Sequence, residues 1–144
     1  MPSLYEQDFY EWSIKTADLI RQGNFAEIDT DNLAEELESL GRSEKREFLN
    51  RLKVLLIHLL KWQHQPPQRS ISWKSTIMTQ RDDIRLLLED NPSFRRLGQE
   101  VLDRAYPLAR RKAALETGID IKYYPELCPY TYEHVMDDDF WPRE

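Results

Sequence analysis

Four residues in the middle of this chain, Glu36, Arg51, His58 and Arg81, are of types that could do chemistry together. Gathered in one place, a carboxylate, an imidazole and two guanidinium groups would line the polar pocket of an enzyme. Paired with one another, they would instead form a satisfied polar seam between helices. Each sits at the edge of an apolar helix face, where an unpaired polar group costs stability. Glu36 falls beside the stripe Leu33, Leu37 and Leu40, whereas Glu35 and Glu38 point away from it. Arg51, His58 and Trp62 flank the face made by Phe48, Leu52, Leu55, Leu56, Leu59 and Leu60. Arg81 follows four residues after Ile77, beside the face Trp73, Ile77, Ile84 and Leu88. Arg51 and His58 are two turns apart, roughly 10 Å along a helix axis, so they need a third side chain to join them. Glu36 supplies it if the helices on either side of Gly41-Arg42 form an antiparallel hairpin. The expectation is one network across three helices, a structural seam rather than an active site.

Other chemistry finds less support. His58 and His64 are six apart and diverge, His134 lies far along the chain, and no Glu-x-x-His or His-Glu-x-x-His spacing occurs. We therefore expect no metal site and no cofactor. Cys128, in Leu-Cys-Pro-Tyr, has no acidic or basic neighbour in sequence to activate it and reads as buried and inert. Arg69, Trp73, Lys74, Arg81 and Arg85 mix cations with an aromatic ring, as base-stacking sites do, but Trp73 belongs to an apolar face. A second cationic group is Arg104, Arg110, Arg111 and Lys112. Trp62, Trp73, Tyr130 and Trp141 are the candidates for an aromatic contact surface. Trp62 and Trp73 flank the Pro66-Pro67 turn and should pack on each other or on that turn.

The elements that must position these residues are marked by caps and breakers. A first helix runs from Tyr5 to Gln22 and stops at Gly23. Asp29, Thr30 or Asp31 caps a second, which Gly41 ends. Ser43 opens a third, ended near Gln65 by Pro66-Pro67. Ser70 or Ser72 opens a fourth, to about Asp90. Asn91-Pro92 opens a fifth, to about Gly118, with Pro107 inside it. From Ile119 on, prolines and aromatics describe an ordered tail with a short helical turn near Tyr132 to Met136. No alternating β-branched run appears. The fold class is all-α, a single domain over 1–144, with four to five bundled helices and an aromatic- and proline-rich C-terminal tail.

Composition narrows the function. With 20 Lys and Arg against 26 Asp and Glu the formal charge is −6, which argues against nucleic acid and anionic membranes as partners. Only 4 glycines are present, and none forms a phosphate-cradling loop. One cysteine forbids an internal disulfide and fits a reducing compartment. The start, MPSLYEQDFYEW, does not read as a signal peptide, and the longest apolar run, Val54 to Leu60, is too short for a bilayer. A cytoplasmic location is expected.

The strings AEELESLGRSEKREFLNRL from Ala34, then HLLKWQHQP, RSISWKSTI and QRDDIRLLLEDNPS, resemble a bacterial, mostly cyanobacterial family, the domain of unknown function family twenty-nine. The likeness extends to Asp8 and Trp12, to Tyr124-Pro125 where the family has an FP-type pair, and to Cys128-Pro129-Tyr130-Thr131. It implies a helical bundle from a bacterium and carries no activity with it. The expectation is a non-enzymatic protein-interaction or accessory protein, antitoxin-like, with a protein partner or a second copy. The alternatives are an enzyme around Glu36, Arg51, His58 and Arg81, and nucleic-acid binding.

Overall fold

The computed structural model describes residues 2–143, and the chain falls into two compact units, 1–44 and 45–144. The described residues contain helices and turns and no strand.

The N-terminal unit holds α1 (Leu4–Gln7), α2 (Phe9–Arg21), a 3-10 turn at Phe25–Glu27 and the start of α3 (Thr30–His64). The first helix expected from Tyr5 to Gln22 is two helices, because Asp8 leaves the helical region (φ −152°). Its carboxylate accepts a hydrogen bond from the Glu11 amide at 3.0 Å and so caps α2. A short acceptor side chain competes with the helix in this way wherever a cap is more favourable than another turn. Gly23, at φ +72°, follows the end of α2 as expected. Trp12 and Thr16 are the buried residues of α2.

Gly41 does not end a helix. Thr30 to His64 is one α-helix of 35 residues, so the hairpin across Gly41-Arg42 does not exist. Among the described residues only Gly23 and Gly118 have positive φ, so Gly41 is not in the left-handed conformation that stops a helix. Arg42 spans the position, bonded to Glu35 at 2.9 Å and to Glu38 at 3.7 Å. A glycine in a helix interior is destabilising relative to alanine, and a Cβ here would meet nothing within 4 Å. Gly41→Ala is therefore expected to stabilise the protein by about 0.5–1 kcal/mol, seen as a higher Tm by circular dichroism. A lower Tm would show that Gly41 is a stop after all. The stripe expected to be covered by the hairpin is open instead: Leu37 is 61% exposed and Leu40 66%.

The C-terminal unit contains the rest of α3, α4 (Ile71–Asp90), α5 (Gly98–Thr117) and a tail with α6 (Tyr132–Met136). Pro66–Gln68 forms a 3-10 turn, and Ser70, not Ser72, caps α4 by accepting from the Trp73 amide at 3.1 Å. The fifth helix does not start at Pro92 as expected. Pro92–Leu97 is a 3-10 stretch, and α5 opens at Gly98. A Cβ on Gly98 would lie 2.5 Å from the Tyr132 ring, so the absence of a side chain is what lets the tail close on α5. Gly118, at φ +73°, ends α5. Phe48, Leu52, Leu55, Leu56, Leu59 and Leu60 of α3 are fully buried as expected, with Ile77 and Ile84 of α4 and Val101, Leu102 and Ala105 of α5. Phe48 stacks on Phe94 with ring centroids 5.5 Å apart. The tail adds Tyr124, Tyr130 and Val135 to this core. No helix among the described residues is long and apolar enough to cross a membrane.

Candidate functional site

Arg51, His58 and Arg81 each have their own partners and do not form one network. Arg51 donates to Glu47 from Nε at 3.1 Å and to Asp83 of α4 from Nη1 at 3.0 Å. The His58 ring is half-buried, and its Nδ1 lies 2.9 Å from the Val54 carbonyl one turn back, which makes Nδ1 the donor. Burial pushes its pKa below the ordinary imidazole value. Glu36 belongs to the N-terminal unit, where its carboxylate accepts the hydroxyl of Tyr5. That bond favours the neutral phenol and raises the Tyr5 pKa. Without the hairpin, Glu36 is not a bridge for Arg51 and His58: it lies fifteen residues before Arg51 on one continuous helix.

Arg81 does not flank its helix face but is fully buried in it. Its Nε donates to the Val135 carbonyl and its Nη2 to the Phe140 carbonyl, both at 2.8 Å. The guanidinium lies 5.4 Å from the centre of the Trp141 ring. Burial lowers its pKa from the ordinary value, with Asp138 opposing that shift. One turn on, Arg85 reaches the Met136 carbonyl at 2.7 Å and Asp138 at 2.9 Å. On α5, Arg110 donates to the carbonyls of Tyr124 and Ile121. These arginines are anchors for the tail. Asp83 and the Tyr5 hydroxyl escaped the sequence reading, and Arg85 and Arg110, read there as members of cationic groups, bond tail carbonyls instead. The spacing of Arg81 and Arg85, one turn apart, was the only signal for any of them.

Of the four aromatic candidates Tyr130 is buried, and Trp62, Trp73 and Trp141 are half-buried. Tyr130 is buried and donates to Gln63 at 2.5 Å. Trp62 packs on Trp141 at 4.8 Å, not on Trp73, and is covered by the Arg69 guanidinium at 5.1 Å. Trp73 is half-buried with the Lys61 ammonium 5.7 Å from its ring. Cys128 is half-buried, its Sγ donating to the Tyr130 carbonyl at 3.4 Å, and burial raises its pKa. A thiol raised in this way is a poor nucleophile. Among the described residues no group of three or more His, Cys, Asp or Glu is placed to hold a metal ion.

Exposed apolar side chains occur on both units, with Ile71, Leu115 and Leu127 on the C-terminal one and a further set on the N-terminal one. Tyr10 is 76% exposed and Phe25 64%, alongside Leu37 and Leu40. Tyr5, Phe9 and Trp12 form an aromatic trio, with Tyr5 and Trp12 edge to face at 4.7 Å. Tyr5 and Trp12 border a cleft of about 240 Å³ whose lining also includes Glu27, Asp29 and Lys15.

Fold and surface together define an all-α protein with a tail-sealed C-terminal core and an apolar, carboxylate-rich N-terminal surface. The chain belongs to the family described as Domain of unknown function DUF29, which matches residues 4–141. No curated protein and no solved structure matches it.

Proposed function

We propose that this chain is a non-enzymatic, cytoplasmic protein of a bacterium, cyanobacterial by its resemblance, that acts by binding another protein, as an accessory or antitoxin-like partner does. The observation that carries this reading is the exposure of Tyr10, Phe25, Leu37 and Leu40 on a unit of 44 residues in which α2 buries only Trp12 and Thr16. Units of this size rarely bury enough apolar surface to be stable without association. Apolar patches on a soluble surface mark contact sites. The enzyme alternative loses support because Arg51, His58 and Arg81 are each bonded within the fold. Nucleic-acid binding loses support in the same way, since Arg81, Arg85 and Arg110 are taken up by tail carbonyls.

The test is affinity capture from native lysate with the full chain and with Leu37→Glu/Leu40→Glu. Both leucines are exposed, so the variant is expected to keep the wild-type circular dichroism spectrum and Tm. A stoichiometric protein retained by wild type and lost by the variant is the expected result. Equal retention, or none, counts against the reading.

A further inference from the structure

Charge is divided unequally between the two units. Residues 1–44 carry eleven acidic side chains and three basic ones, a formal charge of −8, whereas 45–144 carry fifteen acidic and seventeen basic, a charge of +2. The three cations of the N-terminal unit are already matched within it. Lys15 pairs with Glu11 at 3.2 Å, Arg21 with Asp18 at 3.6 Å, and Arg42 with Glu35 at 2.9 Å. The carboxylate excess therefore has no counter-charge inside the unit, and the same unit carries the exposed Tyr10, Phe25, Leu37 and Leu40. A second copy would bring another −8 against it, and nucleic acid or an anionic bilayer would be repelled in the same way. A protein surface with apolar and cationic side chains is complementary in both respects.

The cleft identifies a seat for such a cation. Tyr5 and Trp12 line it together with Leu4, Thr16, Leu19, Glu27 and Asp29. Asp29 already accepts from the Asn32 amide at 3.4 Å and its side chain at 2.6 Å, but a carboxylate offers about four acceptor positions. Lys15 also borders the cleft, with its ammonium drawn to Glu11. At about 240 Å³ the space lies below the roughly 300–1,000 Å³ of drug-sized ligand pockets and suits one long side chain. Aromatic rings accept the methylenes and the charge of lysine or arginine, and carboxylates complete the pairing.

We propose that the N-terminal unit docks a basic, amphipathic segment of a protein partner, and that one lysine or arginine of that segment enters the cleft between Tyr5, Trp12, Glu27 and Asp29. This rests on the protein-binding reading above and names the chemistry of the partner.

The test uses the full chain and two fluorescein-labelled helical peptides, one with leucine on one face and lysine and arginine on the other, one with glutamate in place of the cations. Fluorescence anisotropy is expected to show binding of the basic peptide only, weakening as salt is raised. Glu27→Gln/Asp29→Asn keeps a capping side chain at position 29 and is expected to weaken binding at least tenfold. The charge-matched control Glu6→Gln/Asp31→Asn is expected to weaken it about twofold, the effect of overall field alone. Equal binding of both peptides, or equal loss from the two double variants, overturns the proposal. So does a dimer by light scattering that Leu37→Glu/Leu40→Glu dissolves, or binding of duplex DNA or phosphatidylserine vesicles as tight as that of the basic peptide. A lysate partner that depends on Leu37 and Leu40 but is retained fully by Glu27→Gln/Asp29→Asn leaves the protein-binding reading standing and removes this one.

Discussion

Arg81→Ala is expected to destabilise the C-terminal unit by about 3 kcal/mol, because it strips the Val135 and Phe140 carbonyls of a charged donor at once. The Arg81 guanidinium is fully buried, and its hydrogen bonds to Val135 and Phe140 are at the short end of the N–H···O range. Arginine suits the position because its planar fork reaches two acceptors from one rigid group while its face lies on Trp141. For a unit of about 100 residues, a loss of that size lowers Tm by on the order of 10–20 °C. Arg81→Met separates the causes. It keeps much of the volume and removes a buried cation, whose desolvation opposes folding, but it still leaves both carbonyls unpaired. It is expected to cost about half as much as alanine. Arg81→Lys keeps the charge and loses the fork, and is expected to fall with alanine rather than with wild type. Chymotrypsin is expected to cut the alanine variant first in the segment from Val135 to Trp141, since that is the part Arg81 holds. Unchanged melting of Arg81→Met and Arg81→Ala would remove the anchor role.

The helical class and much of the core were legible because periodicity reports burial directly. Phe48 through Leu60 recur at helical spacing, and those side chains are buried. Breakers were less reliable. Gly41 reads as a stop only if its φ turns positive, and sequence does not contain φ. The long side chains around it, with Arg42 tied to Glu35 and Glu38, carry the helix through. That one junction misplaced Glu36 as a bridge between helices. Arg81 shows the complementary failure. An arginine four residues from Ile77 looks like a boundary residue, because a buried guanidinium needs acceptors and no carboxylate stands three or four residues from it. Its acceptors are backbone carbonyls more than fifty residues away, and carbonyls leave no mark in a sequence. The tail aromatics were legible as part of an ordered tail or as a contact surface. The geometry that decides between them, Tyr130 to Gln63 and Trp62 to Trp141, is set by tertiary closure.

That closure also gives the protein a steep alkaline limit. Tyr106 is buried, and its hydroxyl donates to the Pro125 carbonyl at 2.6 Å. Burial pushes its pKa up to about 12 from the ordinary 10.0. Tyr130, Tyr124 and Tyr132 are raised for the same reason, burial of a phenol that cannot easily ionise. Each keeps its proton in the folded state at a pH where the unfolded chain has released it. The folded protein therefore binds more protons than the unfolded one above pH 10, and stability must fall as pH rises. Below about pH 10 the contribution is intact. Between about 10 and 12, Tyr106 alone removes about 3 kcal/mol, with Tyr130 adding to the slope. Thermal melts by circular dichroism are expected to show a plateau to about pH 9.5 and then a steep loss of Tm. Phenolate absorbance is expected to rise in two phases, the second coincident with unfolding. Tyr106→Phe is expected to melt lower than wild type at neutral pH, by about 1 kcal/mol for the lost bond to Pro125, and to lose less on the way to pH 12. The two curves should approach and then cross near about pH 11, because the variant has no phenol at this position to ionise. Parallel curves would mean that Tyr106 is not held neutral by the fold. A single phase of ionisation at the ordinary value, with helix content intact, would mean that the tail does not seal these rings from water.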